Sequence, residues 1–337
     1  MATSETVPFS KSGGLADVVG ALSATLTEMG NEVRIFMPMY SFIEKEGWHK
    51  SLSFLIPMLG TNERAEIYEK EVNGVVYVGL SHPYFSKRLG IYGDTSFQPY
   101  PDNCPRFLCF AKATALYLAA TDWKVDIVHC HDWTTGLIPY YLNYFKVEAK
   151  TVFTIHNLAY QGVFPPFDAI ISSSRIPKSA LRGPKAHENI NMMAAGLLDC
   201  DFITTVSPTY MEEIRESGMG CGLDDILKDR KDDSKGIING IDYNEWNPET
   251  DKDLISNYSV SDLSGKEECK KELLEEFKIK GYDDKPLFAI ISRLADQKGF
   301  DELLLEGEPC ALERILQNQD SAVVLIGTGD SKYVTKL

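Results

Sequence analysis

Short, almost unbroken apolar runs constrain this chain more than any other feature. Each ends in turn residues, and most are separated from the next by a helical pattern. The runs are Val33–Pro38, Ile127–Asp132, Thr151–His156, Phe202–Ser207, Gly236–Gly240, Leu287–Ser292 and Ala322–Gly327. A strand wetted on one face alternates polar and apolar residues. These do not, so both of their faces are expected to be covered. Helical patterns over Gly14–Met29, Arg106–Ala120, Gly136–Tyr144, Glu188–Leu198, Pro208–Glu216, Lys266–Lys278 and Gly299–Leu316 lie between most of them. The alternation predicts an α/β chain with parallel, doubly wound sheets. One stretch breaks the rhythm. Ser53–Ser81 reads as antiparallel strands, with Asn73-Gly74 as a type I′ hairpin turn. Asn191–Leu198 reads as a buried helix in which Met fills gaps.

A boundary is expected after Gly240, because Asp242–Ser264 is polar and has no clear period. That divides the chain into residues 1–240 and 241–337. Both ends are odd for this class. A phosphate loop in a doubly wound domain normally follows a strand, yet Met1–Ser10 has no apolar run ahead of the glycines at 13 and 14. The second part has only two strong strands, which would leave an uncovered edge. The sequence therefore reads as a fragment lacking pieces at both termini.

Composition narrows the partners. The 337 residues are 44% apolar and 25% charged, as expected of a globular protein of about two domains. A net charge of −15 argues against nucleic acid and against anionic membrane surfaces, although local cations can still receive an anionic substrate. The seven cysteines are scattered, odd in number and without Cys-x-x-Cys spacing. Buried free thiols in a reducing compartment fit them better than disulfides. His129 and His131 have no matching Cys or His cluster, so no metal is expected. No run reaches the roughly 20 apolar residues of a membrane span, and the start is too polar for a signal peptide. The expected location is the cytoplasm.

The motifs that carry chemistry follow the predicted strands and the glycine loop. Lys11-Ser12-Gly13-Gly14 precedes a helical pattern. Glycines let the backbone approach a ligand, a helix start offers unpaired N–H groups, and Lys11 adds a mobile positive charge. The alternative is a plain turn capping a surface helix. His129-Cys130-His131-Asp132-Trp133 ends one strand, at the edge where ligands bind in open α/β sheets. Asp132 could equally serve as a helix N-cap. Thr154-Ile155-His156-Asn157 ends the next strand, and two adjacent strands ending in polar groups favour a site over a merely structural His. Arg293 offers a planar fork for a diphosphate and Lys298 a point charge five residues on, with a solvated basic turn as the alternative. Gly327-Thr328-Gly329 is weak by itself.

Taken in order, these motifs resemble the bacterial glycogen synthase and plant starch synthase family, retaining glycosyltransferases with the two-Rossmann GT-B architecture. Lys11-Ser-Gly-Gly-Leu resembles the family's Lys-x-Gly-Gly-Leu signature. His129-Cys-His-Asp-Trp, Thr154-Ile-His-Asn-Leu-Ala-Tyr-Gln-Gly, Thr205-Val-Ser-Pro-Thr-Tyr, Ile238-Asn-Gly-Ile-Asp, Trp246-Asn-Pro-Glu-Thr-Asp and Ser292-Arg-Leu-x-x-Gln-Lys-Gly follow in the family's order.

The resemblance implies transfer of glucose from ADP-glucose to the non-reducing end of an α-1,4-glucan, with no metal and no cofactor besides the nucleotide-sugar donor. It implies a catalytic set of His156, Asp132, Arg293 and Lys298, and donor contacts from Lys11, Gly13, Gly14 and Asn157. It implies an N-terminal starch synthase catalytic domain over 1–240 and a partial nucleotide-sugar domain over 241–337, with the active site in the cleft between them. In the family, elements beyond those present here carry a Glu-x7-Glu region and a second Gly-Gly loop. Little or no transfer is therefore expected of residues 1–337 alone. The alternatives are an inactive glucan-binding fragment, or another GT-B nucleotide-sugar glucosyltransferase. A nicotinamide dehydrogenase would need a Gly-x-Gly-x-x-Gly loop after a strand, and none is present.

Overall fold

The computed structural model describes residues 1–95, 98–165, 175–181, 189–305, 307, 309–318 and 320–337. Its strands are β1 (Arg34–Pro38), β2 (His49–Met58), β3 (Thr61–Val72), β4 (Val75–Ser81), β5 (Ile127–His131), β6 (Lys150–Ile155), β7 (Val163–Phe164), β8 (Ile190–Asn191), β9 (Phe202–Thr205), β10 (Ser234–Gly236), β11 (Leu287–Ile291) and β12 (Ala322–Ile326). The chain divides into two compact units, Met1–Gly240 and Ile241–Leu337.

In the first unit, one four-stranded array runs β2-β3-β4-β1 and another β5-β6-β9-β10. The second array is parallel throughout, and β1 is parallel to β4. The β2–β3–β4 meander is antiparallel, as the alternation over Ser53–Ser81 suggests. Asn73 (φ 51°) and Gly74 (φ 78°) both have positive φ, the requirement of a type I′ turn. The β2–β3 connection, Leu59-Gly60, has the same signs, but Leu is not a turn residue and carries no such signal.

The strand missing from the sequence reading is supplied by the first residues. Ala2 bridges Phe36 of β1 and Cys130 of β5, parallel to both. The Ala2 amide donates to the His129 carbonyl (2.8 Å), and the Thr3 amide to the Phe36 carbonyl (3.1 Å). Backbone bonds hold this segment, and only Met1 and Ala2 of its side chains are apolar and meet the core, so it leaves no hydrophobic run to read. The glycine loop thus follows a strand-like segment lying between β1 and β5.

Helices cover these strands. Asn103–Ala120 is buried on nearly all sides, with Phe107, Leu108, Phe110 and Ala111 fully enclosed. It starts three residues before the sequence reading because Arg106 is buried too. The Arg106 guanidinium donates to the Tyr84 carbonyl (2.9 Å) and the Asn103 side chain (2.5 Å), which satisfies part of its polar surface inside the core. Met192–Asp199 is the expected buried helix, with Met192, Met193 and Leu197 in the core. Its expected start at Glu188 lies outside the described residues.

Three expectations need correction. The strand read at Gly236–Gly240 is β10, Ser234–Gly236; its ladder to β9 closes with the Ile237 amide donating to the Thr205 carbonyl (2.8 Å). The apolar Ile237 and Ile238 mimicked a buried strand, yet both are exposed. The single helix read over Gly299–Leu316 is a π-helical turn, Asp301–Leu305, and a separate helix, Ala311–Asn318, with residues 306 and 308 outside the described set. Pro309 stands between the two and cannot donate a helical hydrogen bond. All seven cysteines are free, but Cys221 is exposed and Cys269 half-buried; the other five are buried.

In the second unit, β11 and β12 pair in parallel, and Leu294, Phe300, Leu304 and Tyr333 form a small core. Phe288, Ile291 and Ile326 on this pair are exposed.

Candidate active site

The glycine loop opens where the Met1–Thr3 segment leaves the sheet. Gly13 caps the helix Gly14–Glu28 with an extended backbone (φ −162°). Neither Gly13 nor Gly14 has positive φ, and a Cβ at either would meet nothing within 4 Å. Gly20 on the same helix is different, since its Cβ would lie 2.3 Å from a Val7 methyl. Packing explains Gly20 and does not explain the pair. Open space above two glycines at a helix N-terminus suits an anionic ligand. Lys11 is exposed and its Nζ lies 2.6 Å from Asp17 Oδ1. Such a surface pair contributes little and can be exchanged for another anion.

Glu5 was not singled out by sequence, although it is the only charged residue in Met1–Ser10. It is buried, and its carboxylate accepts from the Ser12 amide, the Gly13 amide (3.1 Å), the Ser12 hydroxyl (3.1 Å) and the Tyr92 hydroxyl (2.8 Å). The expectation for Gly13 is corrected accordingly: its amide is committed to Glu5. The open part of the loop is the Gly14 end. Glu5 thus holds the loop from beneath.

β5 and β6 end side by side, with His131 opposite Thr154. Asp132 follows with φ 58° and ψ −179°, a region that essentially only glycine occupies, at a cost of about 1–3 kcal/mol. Three hydrogen bonds hold it there. Its amide donates to the Thr154 carbonyl (3.0 Å), and its Oδ1 accepts from the amides of His156 (2.7 Å) and Asn157 (3.4 Å). It makes no side-chain cap to the turn Trp133–Thr135, so the N-cap alternative fails. Burial pushes the Asp132 carboxyl up to about 7, against the lowering by those two amides; the nearby Glu5 charge adds a smaller upward push. Asn157 uses its Oδ1 to accept from the Ala159 amide (3.1 Å), shaping its own turn.

A chain of polar groups runs inward from His156. Its Nε2 lies 3.0 Å from His131 Nδ1. The rings of His131 and His129 are 4.1 Å apart, and His129 Nε2 lies 2.6 Å from the Thr154 hydroxyl, which meets the Thr204 hydroxyl at 2.6 Å. Burial lowers His129 to about 3, His156 to about 4 and His131 well below its ordinary value, so all three are neutral at pH 7.

These shifts give a stability prediction. Each histidine binds a proton more readily unfolded than folded, so its contribution is complete above about pH 6.5 and is lost on acidification toward 4. Asp132 works in the opposite sense, losing stability as pH rises from its ordinary range to about 7. Three groups oppose one, and each proton is worth about 1.4 kcal/mol per pH unit. Thermal melts are expected to show a falling Tm between pH 6.5 and 5. A Tm that holds steady or rises over that interval would contradict the neutral-histidine reading.

In the second unit, Arg293 and Lys298 flank the loop that leaves β11. The loop is pinned at buried Leu294, whose amide donates to the Thr328 carbonyl (2.9 Å) and whose carbonyl accepts from Asp330 (2.9 Å). A Cβ on Gly327 would lie 2.2 Å from the Ser292 carbonyl, and one on Gly329 2.2 Å from that of Leu294. Those glycines therefore serve the close approach of two backbones. Arg293 and Lys298 are exposed, and among the described residues neither side chain has an ion pair or hydrogen bond. Among the described residues no three His, Cys, Asp or Glu side chains group as metal ligands, and no helix is long and apolar enough to cross a membrane.

Comparison with known proteins gives the family. The family model for the starch synthase catalytic domain matches residues 1–229. Glycogen synthase 2 of Geobacter sulfurreducens is 39% identical over 349 residues, covering 100% of this chain and 70% of that protein. Glycogen synthase of Geotalea daltonii is 40% identical, covering 99% of this chain and 69% of the relative. The solved catalytic domain of Starch Synthase IV from Arabidopsis thaliana, bound to ADP and acarbose, superposes with a TM-score of 0.83 at 28% identity, over 99% of this chain and 69% of that one. The chain thus spans about 70% of the length of these relatives, and it belongs to the starch and glycogen synthase family of glycosyltransferases.

Proposed function

We propose that this glycosyltransferase moves glucose from ADP-glucose to the non-reducing end of an α-1,4-glucan with retention of configuration. One observation carries the reading. The open Gly14 end of the glycine loop, a strained and buried Asp132, and a neutral His156 follow neighbouring strands of one sheet. The carboxyl ends of strands are where open α/β sheets bind ligands. The Arabidopsis enzyme's bound ADP and acarbose, a nucleotide and an oligosaccharide analogue, support the substrate pair.

In this reading Lys11 and the Gly14 end of the loop receive donor phosphate. The exposed cations Arg293 and Lys298 stabilise negative charge as the diphosphate departs, which lowers the barrier only to the extent that they meet the transition state more strongly than the ground state. His156, neutral at working pH, contacts the transferring glucose through a hydrogen bond rather than a charge. Asp132 lies near the reacting centre on the acceptor side, its carboxylate held by two amides.

Titration calorimetry tests the assignment of Lys11. ADP-glucose is expected to bind saturably, and Lys11→Ala to weaken it about tenfold to a hundredfold, the worth of one charge-assisted contact. Affinity for a malto-oligosaccharide is expected to stay the same. Equal donor affinity in the two proteins, or tighter binding of a nicotinamide dinucleotide than of ADP-glucose, would overturn the reading.

A further inference from the structure

We propose that His131 is a positioning residue that fixes His156 as the tautomer protonated on Nδ1. His131 is fully buried, and its backbone is pinned by the bond from its amide to the Ala2 carbonyl (3.2 Å). Its Nδ1 faces His156 Nε2 at 3.0 Å. Between two neutral imidazoles one of these nitrogens carries the proton and the other accepts it.

The far side of the His131 ring decides which. Its Nε2 is buried and has no hydrogen-bond partner among the described residues. A buried N–H without an acceptor is rarer and more costly than a buried lone pair without a donor. The His131 proton therefore belongs on Nδ1, where it has an acceptor, and it is donated to His156 Nε2. His156 must then carry its own proton on Nδ1. The nitrogen bonded by His131 is an acceptor already in use, and the other nitrogen of His156 is a donor. Burial of both rings, which disfavours the imidazolium, keeps this arrangement through neutral pH.

The consequence for transfer is specific. His156 is prepared to donate to an oxygen of its ligand and is not prepared to take a proton from one. His131 contacts no ligand itself and acts only through His156. The effect on transfer rests on the role proposed for His156, whereas the tautomer does not.

Two-bond proton–nitrogen correlation spectra of protein carrying ¹⁵N-labelled histidine test the two separately, with His156→Gln used to assign the signal. In the unsubstituted protein at pH 7, His156 is expected to show the Nδ1–H pattern. His131→Phe removes the donor at nearly constant volume and is expected to release His156 into a mixture with the Nε2–H form. It is also expected to lower transfer about tenfold, with the apparent donor KM changing less than kcat. His131→Asn, whose amide nitrogen reaches the place of Nδ1, is expected to restore the pattern and most of the rate. An Nε2–H or imidazolium pattern in the unsubstituted protein overturns the proposal, whether or not His131→Phe folds. An unchanged His156 pattern in folded His131→Phe overturns it equally. A changed tautomer with unchanged transfer leaves the positioning intact and contradicts the role given to His156.

Discussion

Asp132→Ala is expected to reduce glucose transfer from ADP-glucose to glycogen by about a hundredfold or more, the size of effect seen when one preorganised polar group is removed from a reacting centre. A label-incorporation assay sensitive enough for slow turnover measures it. The same position separates chemistry from strain. Alanine loses the carboxylate that accepts from the His156 and Asn157 amides, yet keeps a backbone that disfavours any Cβ. Asp132→Gly loses the same bonds but releases strain of about 1–3 kcal/mol, less about 1 kcal/mol for the greater freedom of glycine in the unfolded chain. The glycine variant is thus expected to be equally inactive and more stable than the alanine variant in urea denaturation. An alanine variant as stable as glycine would limit the strain at 132 to about 1 kcal/mol, and a more stable one would show that the backbone there is unstrained. An active glycine variant would remove Asp132 from the site.

The second large effect is expected from Arg293→Ala combined with Lys298→Ala. Both side chains are exposed and unpaired among the described residues, so folding should be untouched and circular dichroism unchanged. Two charge-assisted contacts at about 1.5–3 kcal/mol each amount to roughly a hundredfold to ten-thousandfold in kcat/KM for ADP-glucose. If these residues act on the departing diphosphate, most of the loss falls on kcat. A loss below about threefold would return both residues to the solvated basic turn that the sequence also allowed.

Some of this was legible in the sequence for physical reasons. Apolar runs made β1, β5, β6, β9, β11 and β12 visible within a residue or two, although the expected cover on both faces is absent at β11, where Phe288 and Ile291 are exposed. Asn73-Gly74 was visible because few residue pairs accept two positive φ angles. Asp132, His156 and Asn157 were visible because two neighbouring strands ended in polar groups. Other features had no local signal. Ala2 and Thr3 enter the sheet through backbone bonds, with Ala2 a single small apolar side chain in the core. Glu5 is defined by donors from residues 12, 13 and 92, one of them far away in sequence. Ile237 and Ile238 carried a buried pattern and are exposed. The strain at Asp132 was invisible, because residue type alone does not report φ.

The most direct test of the account follows the glucose itself. Protein is incubated with ADP-glucose labelled in the sugar and with glycogen, and the polymer is then digested from its non-reducing ends with β-amylase. The account predicts slow incorporation of label into the polymer, little as expected of residues 1–337 alone, released as maltose, and loss of that label in Asp132→Ala and in the Arg293→Ala/Lys298→Ala pair. Label appearing only as free glucose, or incorporation unaltered by those substitutions, would contradict it.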